Sequence, residues 1–398
     1  MVYVLNDNGT ILMPTNRHGK VRRLLKNGLA KVVNKIPFVI QLQYNAKEYK
    51  QEVSLGVDPG SKYIGLSATT NKKELYSAIV ELRNDITAKL ALRRAQRRSR
   101  RYRMRYRKIR FDNRKICENW MPPSIKNKVY VHLTSIINIT KLLPISKIVI
   151  EVSSFDPNIT FIDTNSSFWN NREYVLCRDH HTCQCCHGKS GDKILNVHHI
   201  ESRKTGGNGH NNLITLCRSC HKQLHIGKIV LNKKRGPSLR DCDFMNKMKY
   251  YLYNELKNRY NNIELTFGYL TKQTRILHNL PKAHYIDAMC ISGNVDIDML
   301  NYYYFQKKVR CQNRQIHKIN MLKGGRRKMN QAPFVVKGFR LFDLVEYDGD
   351  WYYIFARRST GYFNIKRLDG TKSLTSVSYK KLKLIDTRKS ILTELCKK

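Results

Sequence analysis

LNVHHIESRKTGGNGHNNLITLCRSCHKQLH, residues 195–225, gathers five histidines and two cysteines into thirty-one positions. His198 and His199 are adjacent in a stretch that reads as a strand, where neighbouring side chains point to opposite faces. One imidazole can therefore ligate a metal while its neighbour does different work. After a Gly-rich turn come Asn212 and the apolar run LITL, and then His221 and His225, four residues apart and so on one face of a predicted helix. Isolated histidines are ordinary structural residues; a His-His pair, an Asn and a His-x3-His in this order point to metal chemistry.

Working outward, Cys183 and Cys186 form one CxxC pair and Cys217 and Cys220 another. Four soft thiolates in paired knuckles suit a tetrahedral structural Zn2+. Cys185 lies inside the first knuckle, and spacing assigns the ligand role to its neighbours. The insert between the knuckles is longer than a zinc ribbon needs, and the histidines occupy it. The pattern resembles the HNH nuclease motif, a ββα-metal fold. That resemblance implies His199 as general base, His198 as a metal ligand, Asn212 as an orienting or metal-ligating residue, His221 as the helical ligand and His225 as a second one. The metal expected there is Mg2+, although an imidazole at position 198 is softer than the Asp that Mg2+ sites often use.

Over 398 residues, 74 Lys and Arg face 30 Asp and Glu, a formal charge of +44. A soluble basic surface alone needs a charge of magnitude about 2–8 per small domain, so a polyanionic partner, nucleic acid, is expected. The start, MVYVLNDNGT, has no basic region followed by an apolar one, and no run approaches the roughly 20 apolar residues of a membrane span. A soluble, cytoplasmic chain without membrane partners is the expectation. The odd count of 11 cysteines, clustered near the knuckles, favours metal ligation over disulfides.

Residues 1–52 read as a small basic α+β module, and VSLGVDPGSKYIGLSATTNKKELYSAIVEL (53–82) as three apolar strands with Asp58 ending the first. Residues 85–115 contain no Pro or Gly and read as a helix; 13 of the 23 residues from 93 to 115 are Lys or Arg. Like charges at i,i+4 repel, so this helix is expected to lie against nucleic acid through Arg93, Arg94, Arg97, Arg98, Arg100, Arg101, Arg103, Arg105, Arg107 and Arg110. A helix over 124–143, a buried strand KIVIEVSSF ending on Glu151, a helix over 243–260, a strand over 263–270 and a helix from 282 follow. The carboxyl end is a run of short strands with turns at YDGD, RRSTG and LDGT, expected to make a small antiparallel barrel.

Asp58, Glu151 and Asp287 are far apart in sequence, yet two end apolar strands and the third starts a helix, three residues after His284. A carboxylate ending a buried strand is costly unless a cation pairs with it. Three converging carboxylates can hold two Mg2+ about 4 Å apart for in-line phosphodiester hydrolysis, with His284 placed to take the proton of water. In this order the pieces resemble a split RuvC nuclease, an RNase H-like fold, with the HNH motif between the second and third pieces. With LMP at 12–14 inside ILMPTNRHGKVRRLLKNGLAKVV, Ile11 standing where the family's PLMP motif has Pro, the whole chain resembles the IscB family of transposon-encoded nucleases.

The resemblance implies an α/β and α+β multidomain fold. Its parts are a PLMP module (1–52), RuvC piece I (53–84), an arginine-rich bridge helix (85–119), RuvC piece II (120–156), an HNH domain (172–228) between linkers 157–171 and 229–242, RuvC piece III (243–300), a basic linker (301–332) and a carboxyl-terminal, β-barrel-like DNA-contacting region (333–398). It also implies a guide RNA, called ωRNA, that pairs with one strand of a double-stranded target beside a flanking motif. HNH would cut the paired strand with one metal and RuvC the displaced strand with two Mg2+, one protein copy working in a ribonucleoprotein in a prokaryotic cytoplasm. The alternatives are a protein-only HNH endonuclease of homing or restriction type, and a non-catalytic zinc protein that binds nucleic acid.

Overall fold

The computed structural model describes residues 1–103, 121–152, 171–206, 210–231, 233–236, 240–310, 317–318, 328–329 and 333–398. The chain divides into two compact units, Met1–Val152 with Met248–Lys398, and Ser153–Lys247.

The first unit opens with β1 (Val2–Leu5), β2 (Ile11–Thr15), α1 (His18–Lys26), β3 (Ala30–Asn34) and β4 (Val39–Leu42). The strands form a sheet of order β2-β1-β4-β3. Val2, Val4, Leu12, Val21, Ile40 and Leu42 make its core, as the alternation of apolar residues predicts.

Next come β5 (Ser54–Pro59), β6 (Tyr63–Thr69) and β7 (Glu74–Glu81), then α2 (Ile86–Arg103), α3 (Pro123–Thr140) and β8 (Lys147–Val152). The second unit supplies α4 (Asn171–Arg178), β9 (Leu195–His199), α5 (Arg203–Gly206), β10 (Leu213–Cys217) and α6 (Arg218–His225). After α7 (Arg240–Lys257) follow β11 (Ile263–Phe267), α8 (Gly268–Leu277), α9 (His284–Ser292) and β12 (Tyr302–Lys308). The rest is a short pair, β13 (His317–Lys318) with β14 (Lys328–Met329), and then β15 (Leu344–Tyr347), β16 (Asp350–Arg357), β17 (Tyr362–Lys366), β18 (Ser373–Ser378), β19 (Lys383–Asp386) and β20 (Ile391–Lys397).

The central sheet has seven strands in the order β11-β8-β5-β6-β7-β12-β20. β5, β6 and β7 are an antiparallel meander. β8 runs parallel to β5 and β11 parallel to β8. The meander is legible from its apolar runs: Leu55, Val57, Ile64, Leu66, Ala78 and Val80 are all fully buried. The outer members correct two expectations. β12 was expected in a basic linker, yet it pairs in parallel with β7. β20, expected in the terminal barrel, pairs with β12 from Tyr302↔Lys397 to Lys308↔Ile391. Neither YYYFQKK nor ILTELCK has the apolar run of an inner strand; β12 gains its place from β7, 226 residues away at Tyr304↔Ala78, and β20 from β12.

The carboxyl-terminal strands form a five-stranded antiparallel sheet, β18-β17-β16-β15-β19. A barrel was expected, but among the described residues β18 and β19 are edges that do not pair with each other. The core is Val345, Tyr352, Ile354, Phe363 and Ile365. Its first hairpin closes on Asp348-Gly349, both at positive φ, with Tyr347 opposite Asp350. That is the two-residue turn the Asp-Gly dipeptide favours.

In the second unit β9 and β10 pair antiparallel, setting Ile214 opposite His198 and Leu213 opposite His199, and α6 follows at once. Two strands and a helix are the expected ββα order.

Candidate functional sites

The cysteine cluster organises the ββα segment. Cys183, Cys186, Cys217 and Cys220 present sulfurs that all lie within 4.8 Å of one another, three of the four residues being buried. Cys186 Sγ and Cys217 Sγ are 3.8 Å apart, and all four cysteines are free. A tetrahedron with Zn–S bonds of ~2.3 Å has edges of ~3.8 Å, so the four thiolates fit Zn2+. Cys217 is also the N-cap of α6: its sulfur accepts the Cys220 N–H at 3.5 Å. Hydrogen bonds from Ser190 hold the Cys186 thiol down to about 6, the charged form a metal needs. Burial pushes the Cys183 thiol the other way.

Asp192 ties the start of α6 to the chain that enters β9. Its carboxylate accepts the Ser219 N–H at 2.9 Å and the Ser219 hydroxyl at 2.8 Å, and its other oxygen the Ile194 N–H at 3.1 Å. An acidic group at a helix N-terminus is favoured by the helix dipole. Neither Asp192 nor Asp179, whose carboxylate accepts the Thr215 N–H at 2.9 Å, stood out in the sequence.

So anchored, α6 turns His221 and His225 toward His198 of β9. The three rings lie with centroids 5.1, 5.1 and 4.6 Å apart, and their ligand nitrogens lie within 4.8 Å of one another. His221 Nε2 and His225 Nε2 are 3.3 Å apart. Burial, then the neighbouring imidazoles, lower the pKa of His198; burial, then His225, lower that of His221. Neutral imidazoles are what a metal binds. His199 follows His198 on the strand and so points to the opposite face.

Asn212 is fully buried. Its Oδ1 accepts the Glu201 N–H at 2.8 Å and its Nδ2 donates to the Glu201 carbonyl at 3.0 Å. Its own carbonyl accepts the Ile200 N–H at 2.8 Å. The amide therefore clips the turn that leaves the His198-His199 pair. Both polar atoms of the amide are engaged by the Glu201 backbone. A Cβ on Gly206 would stand 2.3 Å from Asn212 Nδ2, so only glycine fits over the clip.

The carboxylates meet in the first unit. Asp58 is on β5, Glu151 on β8 beside it, and His284 and Asp287 are on the first turn of α9. His284 Nδ1 lies 2.8 Å from Asp58 Oδ2. Two glycines allow this approach: a Cβ on Gly65, the cross-strand partner of Asp58, would lie 1.9 Å from the His284 carbonyl oxygen, and one on Gly56 would lie 1.9 Å from that of Ala288. Burial, then the Asp58 charge, raise the pKa of both Glu151 and Asp287. The Asp58 hydrogen bond raises that of His284. Three carboxylates from three separate chain segments thus share one electrostatic neighbourhood. Lys249 and Arg275, which sequence reading passed over among 74 cations, sit against Glu151 and Asp287.

On α2, Arg93, Arg94, Arg97 and Arg98 are exposed. Arg100, Arg101 and Arg103 continue the same helix, and Arg105, Arg107 and Arg110 lie outside the described residues. Among the described residues no helix is long and apolar enough to cross a membrane.

Residues 183–226 match the family described as HNH endonuclease, the span that carries both the four-cysteine cluster and the three histidines. Residues 2–163 match the family described as RRXRR protein, a span that includes RRAQRRSRR of α2. No curated protein matches the chain. The chain carries an HNH endonuclease domain, which implies a metal-dependent DNA endonuclease with DNA as substrate.

Proposed function

We propose that the chain is an RNA-guided DNA endonuclease of IscB type, with an HNH site that cuts the guide-paired strand and a RuvC-type site that cuts the displaced strand. The observation that carries this reading is the presence, in two separate compact units of one strongly cationic chain, of two different sets of side chains: His198, His221 and His225, whose ligand nitrogens lie within 4.8 Å of one another, in one, and Asp58, Glu151 and Asp287, whose carboxylates feel one another's charge, in the other. A single-site nuclease has no use for the second set. The exposed arginines of α2 supply the phosphate contacts of a nucleic-acid channel.

The donor sets differ in the metal they suit. Imidazole nitrogens 3.3 Å apart match the ~3.3 Å edge of a tetrahedron with bonds of 2.0–2.1 Å. Such a set favours a transition ion such as Zn2+, Mn2+ or Co2+ over the Mg2+ expected from the sequence, which demands oxygen ligands. The carboxylate set is all oxygen and suits Mg2+. In both sites the bound metal would polarise the phosphate and stabilise the leaving oxygen.

The protein's own groups do the rest. His199, projecting from the face opposite His198, takes the proton from the attacking water, and Asn212 fixes the turn that aims it. His284 holds a proton more firmly than a free imidazole while Asp58 faces it. It serves as base in the carboxylate site once that charge is neutralised. The four cysteines would hold a structural Zn2+ and so fix α6 against β9.

The test is cleavage of a duplex matched to the copurifying RNA, with that RNA present and after its removal. Cleavage of both strands only with RNA is the expected result. Equal cleavage by RNA-free protein would replace guidance with the protein-only alternative.

A further inference from the structure

Two cations stand inside the carboxylate site, where neither proton transfer nor metal ligation uses them. Lys249 Nζ is 3.8 Å from Glu151 Oε1, with the side chains 13% and 16% exposed. Arg275 Nε is 3.1 Å from Asp287 Oδ1, with the side chains 14% and 18% exposed. Arg275 is also placed by the Leu280 carbonyl, which its Nη1 reaches at 3.5 Å. With His284 on Asp58, each carboxylate of the set has its own proton-bearing neighbour.

Among the described residues, ion pairs such as Lys372–Asp350 and Lys383–Glu346 have side chains up to 55% and 76% exposed, whereas Lys398–Glu74, at 14% and 0%, is as buried as the Lys249 and Arg275 pairs. Holding a charge this far from water is costly unless it is paired. The cost is offset because the three carboxylates would otherwise repel one another. Lys249 and Arg275 counter that repulsion at Glu151 and Asp287. A divalent ion would need the same oxygens, and it would repel both cations.

We infer that Lys249 and Arg275 are resident counterions of the carboxylate site: they hold the carboxylates together in the metal-free protein and must give them up to a divalent metal, so they set how much metal the site requires. This rests on the reading of Asp58, Glu151 and Asp287 as metal ligands. Lys249 and Arg275 are positioning residues and not ligands. Their removal has a signature that loss of a structural contact lacks, namely tighter metal binding in a less stable protein.

The experiment uses the full chain without RNA, carrying His198→Ala and His221→Ala to silence the other site, with Mn2+ binding followed at pH 8 by the electron paramagnetic resonance signal of the free ion. Arg275→Gln and, independently, Lys249→Gln are expected to bind Mn2+ on the order of tenfold more tightly. That is the effect of deleting a unit charge about 4 Å from the ligand oxygens after solvent relaxation has removed most of the Coulomb energy. Both variants should also melt at lower temperature before metal is added. Arg275→Lys, which keeps the charge, should hold the parental affinity. Equal or weaker Mn2+ binding by both Gln variants would overturn the inference alone. Mn2+ binding that survives Asp58→Ala unchanged would overturn the metal-ligand reading and the inference with it.

Discussion

Gly65→Ala should silence one nuclease site while sparing the other. Gly65 lies opposite Asp58 in the β5–β6 pairing, and its missing side chain is the space that the start of α9 occupies. An alanine Cβ there would sit 1.9 Å from the His284 carbonyl oxygen and 2.6 Å from the carbonyl carbon, both of them backbone atoms that no rotamer change can move. An ordinary C···O contact needs about 3.3 Å. The start of α9 must therefore retreat by about 1.4 Å, the difference between that contact and the 1.9 Å separation. The 2.8 Å contact between His284 Nδ1 and Asp58 Oδ2 cannot survive such a shift, and Asp287 moves with the same helical turn. Overpacking of this kind costs roughly 1–3 kcal/mol of stability, and a misplacement of ~1 Å at a reacting centre can cost ~100-fold in rate. The assay is a duplex labelled on each strand in turn. The displaced-strand cut should fall about a hundredfold, with the paired-strand cut at the parental rate. Retention of both cuts at parental rates in a folded variant would refute the close-approach argument.

Three further outcomes follow from the ββα unit. Cys183→Ser should release one zinc equivalent per chain and lower the melting temperature, measured by metal analysis and calorimetry, because a structural zinc contributes folding free energy. Asn212→Ala leaves the Glu201 N–H and carbonyl without the partners they have at 2.8 and 3.0 Å. It should cost roughly 1–3 kcal/mol and slow the paired-strand cut while Mn2+ still binds the three histidines. The pKa values of His198 and His221 are lowered by folding. The folded chain therefore binds fewer protons than the unfolded one, and stability present above the ordinary imidazole value of about 6.5 is lost as pH falls below it. Melting temperature should drop more steeply from pH 6.5 to 5 in the parent than in a His198→Ala, His221→Ala variant; equal slopes would contradict the assignment.

What could be read in advance depended on whether a residue's partner is near in sequence. The knuckles Cys183/Cys186 and Cys217/Cys220 and the histidines His198, His221 and His225 carry much of their geometry in their spacing, so the two clusters they form were legible in the sequence. Asp58 and Glu151 were legible because a carboxylate closing an apolar strand is chemically odd. Other features depend on distant partners. Gly56 and Gly65 look like turn or strand glycines until α9 arrives from over 200 residues away. β12 (YYYFQKK) and β20 (ILTELCK) lack the continuous apolar run of an inner strand, and their place in the sheet comes from β7 and from each other. α8 was passed over because its opening, Gly268 after the strand residues of β11, reads locally as a strand running on. A Cβ on Gly268 would come within 3.3 Å of Glu151 Oε1, so that glycine too answers to the carboxylate site.

Two active sites in one chain is the central claim, and the most direct measurement is strand-resolved cleavage by two single variants in complex with the copurifying RNA. His199→Ala should nick only the displaced strand, and Asp58→Ala only the paired strand. Loss of both cuts from either single change, with the protein still folded and RNA-bound, would contradict the claim that the histidine and carboxylate sets act separately.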